Sequence, residues 1–267
     1  MPSSTVHVPT RAFGRKNAVA DTRVPRFSMV TKRLIKPPPS CNWFAAVGEW
    51  KMLANDNYSC CVESAAFHAL LQFSTYASRP INPTDVDVLD FYAKSAGYVP
   101  GDPTTDNGSY VLGPTGALPY WHDHGIMVNG KVNKLTAFLQ ATLNPEEWKQ
   151  AVFTFGGAMI GLNLPDYIVA SPDIPYVWDV LPGKGNAPIV GGHEVWVDGY
   201  MNVVNEDLFE FVSWGERFRM TKTFMLKYVD EVAVLYNHVA MNKLGMDARG
   251  LPESELLALM SGMNRIA

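Results

Sequence analysis

The sequence predicts an α+β protein, with helices gathered in the first half and strands in the second. Three observations predict it. Apolar residues recur at helical spacing over 61–73. Helix-start signals stand at Thr84-Asp85 and at Pro145-Glu146-Glu147. Later, the segments AMIGLNL (158–164), HEVWVDGY (193–200) and LFEFVSW (208–214) are short, rich in β-branched and aromatic residues, and partly alternating. Separate runs of helices and strands point to α+β rather than to alternating βαβ units.

In chain order, residues 1–39 come first. They have no periodic apolar spacing and contain six prolines, ending in Pro37-Pro38-Pro39. Such a stretch is expected to be extended rather than packed. It is also basic. Of the 22 Lys and Arg residues, Arg11, Arg15, Lys16, Arg23, Arg26, Lys32, Arg33 and Lys36 lie here, against the single acid Asp21. The remainder is therefore acidic. A solvated tail, an arm binding an acidic partner and a short pro-segment all fit this composition.

In CVESAAFHALLQF (61–73), Val62, Ala65, Ala66, Ala69, Leu70 and Phe73 share one helical face. A second helix is expected at 84–96, capped by Thr84 or Asp85. A loop rich in Gly, Pro, Asp and Thr covers 97–116. A short helix at about 116–124 ends at Gly125, another is expected at about 133–141, and Pro145 opens one more. Near the end, Pro252 with Glu253 and Glu255 starts a helix whose stripe is Leu256, Leu259, Met260 and Met263. The expected organisation is an arm at 1–39, a domain at 40–240 and an appended helix at 241–267. No internal repeat is evident.

Composition excludes several classes. The 267 residues are 47% hydrophobic and 18% charged, enough for a sizeable core and unlike a disordered chain. No run of 18 apolar residues suggests a membrane span. The first residues lack an apolar core of the kind a classical secretory signal needs. With three cysteines, two of them adjacent, a disulfide framework is not expected, and a reducing compartment is. The expected location is cytoplasmic or within a particle, with no membrane partner. A nucleic-acid role for the arm is disfavoured by the acidic body and sparse aromatics (Phe13, Phe27).

The chemistry centres on NDNYSCCVESAA, which places Cys61 between a polar loop and an apolar helix. Free N–H groups and the positive end of the helix dipole favour a thiolate there. A buried structural thiol fits the same position. Cys60 and Cys61 could bridge only with strain, so two free thiols are expected. A nucleophilic cysteine needs a histidine. His68 is seven residues along the same helix, roughly 10 Å of rise, too far for proton transfer. His122 and His124 point to different faces, which makes a metal site improbable. His193 follows Gly191-Gly192 and opens a strand. The glycines permit close backbone approach, although a satisfied core histidine fits as well.

Taken together, Cys61 on its helix, Asn107-Gly108, Gly-His-x-Val-x-x-x-Gly-Tyr at 192–200 and Ser213-Trp214-Gly215 resemble the papain-like cysteine peptidases over about residues 40–230. The resemblance implies a helical half, with the nucleophile on a central helix, packed on an antiparallel strand-rich half. It implies Cys61 as nucleophile, His193 as general base and Asn55 in the place of the oxyanion-hole glutamine. It implies Asn107 and Gly108 as part of a substrate-binding Asn-Gly-Gly whose last position is Ser109. It implies Trp214 as the indole shielding the histidine. The reaction implied is amide hydrolysis through a thioester, on a peptide, isopeptide or cell-wall peptide, with no metal or organic cofactor. This chain departs from the pattern at several positions. Val212 stands where the family has an imidazole-orienting asparagine, and Ser213 could replace it only with a shifted backbone. Asn55 is one methylene shorter than glutamine. Tyr58 replaces a disulfide cysteine. A catalytically impaired scaffold is therefore the alternative, with the arm lacing an assembly such as a bacteriophage particle.

Overall fold

The computed structural model describes residues 11–31, 36–170, 173–204, 206–247 and 249–261. Parts of the predicted arm (1–10 and 32–35) and of the terminal segment (262–267, including Met263) lie outside the described residues. The helices are α1 (Ser28–Thr31), α2 (Cys61–Tyr76), α3 (Asp85–Ala96), α4 (Ala117–His124), α5 (Pro145–Phe155), α6 (Lys222–Tyr228) and α7 (Glu253–Ser261). The strands are β1 (Cys41–Asn42), β2 (Ile126–Val128), β3 (Lys131–Asn133), β4 (Ala137–Gln140), β5 (Ala158–Pro165), β6 (Val177–Trp178), β7 (Ile189–Val203), β8 (Glu206–Ser213), β9 (Glu216–Thr221) and β10 (Val229–Tyr236).

The large sheet runs β4-β10-β5-β7-β8-β9-β6, with β1 also on β7. Its pairs are antiparallel except β6 with β9. Successive side chains of a strand face opposite sides, so the sheet divides two cores. Val195, Val197, Phe209, Phe211, Val232 and Val234 pack with α5 and α6 residues such as Trp148, Val152 and Phe224. Trp196, Met159, Val212 and Leu235 pack with α2, α3 and α4. This is the α+β architecture, with a helical half against a strand-rich half.

Central helix α2 lies against β7. Fourteen of its 16 residues are buried, so it is sheathed on every side. Trp196 of β7 donates its indole N–H to Gln72 of α2 at 2.8 Å and meets Phe73 edge-on. Helix α3 begins with a capping box between Thr84 and Asp87 and ends at left-handed Gly97. Helix α4 ends at Gly125, and α5 starts at Pro145 behind the Asn144 cap.

One predicted helix is absent. Residues 133–141 form the end of β3 and the whole of β4, which pairs with β10 from Ala137 to Gln140. The apolar spacing of Leu135, Phe138, Leu139 and Ala141 suits a helix, but the backbone of β10 offers an unpaired ladder there, and pairing outweighs a weak local preference. The described part of the arm is packed at intervals: residues 17–20 are exposed, whereas Arg15, Asp21, Val24 and Phe27 are buried. Phe27 is completely buried in the sheet core, and its N–H donates to Gln140 O of β4. Helix α7 packs back on the body: Leu256 is buried in the same core, and Glu253 bonds Tyr236 and His238.

Replacing Thr84 with alanine removes the half of the capping box in which Asp87 N donates to Thr84 Oγ1, and leaves the backbone N–H of residue 84 on Asp87. The expected cost is about 1 kcal/mol, read as a lower urea midpoint with unchanged slope.

Candidate active site

Cys61 is the first residue of α2 and Cys60 its N-cap. Leu53 and Ala54, both with positive φ (55° and 62°), turn the preceding loop tightly under the helix start. Such conformations are costly for non-glycine residues and persist only where packing enforces them. Here Ser64 Oγ donates to Leu53 O at 2.8 Å, and Ala54 N donates to Asp85 at 3.0 Å. Cys60 Sγ points inward, 3.8 Å from Leu53 O and 3.6 Å from Ser64 Oγ. Cys61 faces the other way, with the backbone N–H groups of Glu194 and Gly14 directed at its sulfur. Both thiols are free.

His193 sits on β7 opposite Leu162 of β5. Its Nε2 lies 2.7 Å from Ser213 Oγ, and its ring stacks on Trp214 at 4.3 Å and 18°. Trp214 and Gly215 join β8 to β9 in a two-residue hairpin, with φ of 50° and 72°, between paired Ser213 and Glu216. Positive φ at both positions is the type I′ geometry, which ordinarily favours Asn-Gly. Tryptophan tolerates it here because its indole is buried against His193, Phe13 and Trp178. Val212 faces the helical core, so the hydroxyl one position on supplies the imidazole's partner. Nδ1 of His193 has no hydrogen-bond partner among the described residues.

The groove between α2 and β7 is filled by residues 11–16 of the chain itself. Ala12 N donates to Asn55 O at 3.0 Å, and Asn55 Nδ2 donates to Ala12 O at 3.2 Å and to Tyr58 O at 3.1 Å. Arg15 N donates to Gly192 O at 3.1 Å on the strand wall. On the helical wall, Ser109 N donates to Gly14 O at 2.7 Å and Lys16 N to Ser109 O at 2.8 Å. This makes a parallel bridge between Arg15 and Ser109. Phe13 stands edge-on to both His193 and Trp214, with centroids 5.9 Å away in each case. Glycine makes the fit possible: a Cβ on Gly14 would stand 1.8 Å from Ser59 O, and one on Gly108 would stand 1.8 Å from Gly14 O.

The loop of the helical wall is held from behind. Asp106 accepts from Ser59 N at 2.9 Å and from the Tyr92 hydroxyl at 2.8 Å, and that hydroxyl accepts from Gly108 N at 2.7 Å. Glu63, wholly buried in the first turn of α2, accepts from Ser109 Oγ at 2.6 Å and Ser95 Oγ at 2.9 Å.

Burial governs the charge states. It pushes the Cys61 thiol up to about 12, with Glu194 and Glu63 adding to the effect and the two N–H groups opposing it. It pulls His193 down to about 3, and the Arg15 guanidinium adds to this. Thiol and imidazole are therefore both neutral beneath the arm. Glu194 is raised well above the carboxylate range by burial, and Glu231 to about 7. His68, buried against Trp50 with Nε2 2.8 Å from Lys51 O, is lowered to about 4 by burial and belongs to the core.

Of the residues singled out from sequence, Cys61, His193, Asn55, Gly108 and Trp214 all border the groove. Asn107 does not: it is exposed and donates to Thr104 O at 2.9 Å, bracing its own loop. Ser109, expected only as the last position of the Asn-Gly-Gly motif, is the residue of that motif whose backbone bonds residues 14 and 16. Sequence reasoning missed Glu63, Glu194 and Glu231 as buried carboxylates. An acid inside an apolar run, as in CVESAAF and GGHEVWV, is the signal that marks Glu63 and Glu194. No group of His, Cys, Asp and Glu suited to a metal ion occurs among the described residues, and no helix among them is long and apolar enough to cross a membrane.

The architecture is that of the papain-like cysteine proteases. Xylellain, a cysteine protease from Xylella fastidiosa, superposes with a TM-score of 0.67 at 14% identity, over 85% of this chain and 97% of that one. Procathepsin B S9 from Trypanosoma congolense does so at 0.58 and 10% identity, over 85% and 87%. The cysteine protease and lectin-like domains of Cwp84 from Clostridium difficile do so at 0.55 and 12% identity, over 76% and 52%. No family model matches the sequence, and no curated protein matches it.

The depressed histidines make stability depend on pH. Between 6.5 and the folded values of about 4 for His68 and about 3 for His193, the unfolded chain binds protons that the folded chain refuses, so stability falls as pH drops through this window. A His68→Gln chain is expected to lose stability less steeply from pH 6.5 to 4, by up to one bound proton, in urea titrations at several pH values.

Proposed function

We propose that this chain is a cysteine peptidase or amidase of the papain-like type, held in a self-occluded state by residues 11–16. The observation that carries the reading is an extended peptide seated over the Cys61 thiol, hydrogen-bonded to both walls of the groove, with its Ala12 carbonyl on the Asn55 amide. A groove that binds a peptide backbone in this way suits peptide or protein substrates.

With the arm displaced, water and substrate reach the site. Rehydration lowers the thiol's pKa and raises the imidazole's. Loss of the Arg15 charge raises the imidazole further, so a thiolate–imidazolium pair becomes accessible. Ser213 fixes Nε2 of His193, which leaves Nδ1 for the sulfur. The thiolate attacks the amide carbon. Asn55 Nδ2 and the backbone N–H at the helix start stabilise the oxyanion. His193 protonates the leaving amine, and water then hydrolyses the thioester. None of these steps calls for a metal or cofactor.

Two observations favour the alternative, an impaired scaffold. The imidazole's Nδ1, the nitrogen left for the sulfur, makes no hydrogen bond to Cys61, and its orienting group is a hydroxyl rather than an amide. The further idea that the arm laces a particle has no observation behind it; residues 11–16 are spent on the chain's own groove.

Iodoacetamide labelling at pH 7.5, mapped by mass spectrometry, separates the readings. Wild-type Cys61 is expected to label slowly, at a rate still rising above pH 9. A Gly14→Val chain cannot seat its arm against Ser59, and its Cys61 is expected to label at least tenfold faster and to gain peptide hydrolysis that Cys61→Ser abolishes. Fast labelling without hydrolysis of a mixed peptide library would establish the scaffold reading. Unchanged labelling in a Gly14→Val chain whose arm has become protease-sensitive would remove Cys61 as the nucleophile.

A further inference from the structure

Arg15 does more than hold the arm. Its side chain is wholly buried among three carboxylates. Nη2 lies 2.7 Å from Asp230 Oδ1, Nη1 lies 3.8 Å from Glu231 Oε2, and Nε lies 3.9 Å from Glu194 Oε2. The slot is built into the sheet. Glu194 of β7, Gly161 of β5 and Glu231 of β10 are cross-strand neighbours in one row. A β-bulge beside Glu231 brings Asp230 to the rim. The glycine between the two glutamates leaves the space: a Cβ on Gly161 would stand 2.8 Å from both Cδ and Nε of Arg15 and 2.9 Å from Glu194 Oε2.

The slot belongs to the groove rather than to the arm. All four of its lining residues come from the sheet, beside His193. Both oxygens of Glu194 and of Glu231 lack a hydrogen-bond partner among the described residues, although the two side chains are 0% and 1% exposed. Buried carboxylates without hydrogen bonds are expensive. A structural ion pair would be expected to satisfy them closely, with one acid for one base. Here three acids surround one guanidinium at mostly long range, as in a cavity shaped to admit cationic side chains.

We infer that this slot is the specificity pocket of the groove, selecting an arginine side chain of the substrate, and that Arg15 occupies it as a built-in substitute. The inference rests on the peptidase reading for the word substrate, but the binding preference stands or falls by itself. Peptides with arginine next to the residue presented to Cys61 are the substrate class. Lysine is a poorer occupant because one ammonium cannot reach three carboxylates in a fork.

The test uses the full chain with Arg15→Ala, which empties the slot. Binding of N-acetyl-arginine amide and of the neutral near-isostere N-acetyl-citrulline amide is measured by calorimetry and by the shift in melting temperature. The arginine compound is expected to bind at least tenfold more tightly, and a further Glu231→Gln change is expected to erase most of that preference. Equal binding of the two compounds, or binding of neither, would overturn the pocket. If Arg15→Ala does not fold, the Gly14→Val chain carries the same comparison with every slot residue intact. Hydrolysis is scored separately on matched peptides. Arginine preference in binding without hydrolysis sinks the peptidase and keeps the pocket. Hydrolysis indifferent to arginine against citrulline sinks the pocket and keeps the peptidase.

Discussion

Strand β7 is buried on both faces, and the candidate site follows from that constraint. A strand alternates, so neighbours in sequence are sent to opposite sides of the sheet. Val195 and Val197 enter the core beneath α5 and α6, while Trp196 enters the core around α2. Continued back by two residues, the same alternation directs His193 to Ser213 and Trp214, and Glu194 to the Arg15 slot. A one-residue slip would exchange an imidazole for a carboxylate. The Trp196–Gln72 bond and the Trp196–Phe73 contact hold that register against α2, and so fix where the sulfur meets the strand.

The arm completes this arrangement and also dries it. It replaces water in the groove with protein, and desolvation pushes thiol and imidazole toward their neutral forms. The same burial raises Glu194 and Glu231, while the Arg15 guanidinium pulls both back toward ionisation. Seating the arm and holding thiol and imidazole neutral are thus one physical event. The ties of the arm are mainly backbone hydrogen bonds and one buried side chain. Each such bond is worth about 1 kcal/mol net, a scale on which a competing peptide or a small change in the arm can tip the balance.

Strain is placed where the site needs precise aim. Leu53, Ala54 and Trp214 all carry positive φ, and all flank groups that border the groove. The cost is borne by packing: Leu53 and Ala54 are almost fully buried, as is Trp214. The Asp106–Tyr92–Gly108 chain and the Glu63–Ser109 bond serve the helical wall in the same way, through polar groups that fold inward rather than toward solvent.

Much of this was legible in the residues. The helical stripe of 61–73, the Thr84 cap, the Pro145 start and the alternating segments before and after Gly199 are local patterns, and local patterns depend on steric and hydrogen-bond preferences within a few residues. Cys61, His193, Asn55, Gly108 and Trp214 were readable as candidates because short motifs carried them. Residues 133–141 were misread because their fate depended on the open edge of β10, far away in sequence. Ser213 could be named as a substitute for Val212, but not whether its hydroxyl reaches the imidazole; the seating of residues 11–16 and the row of Glu194, Gly161 and Glu231 were invisible for the same reason. Each depends on which strands become neighbours and in what register, and that is settled only when the whole chain competes for the same buried space.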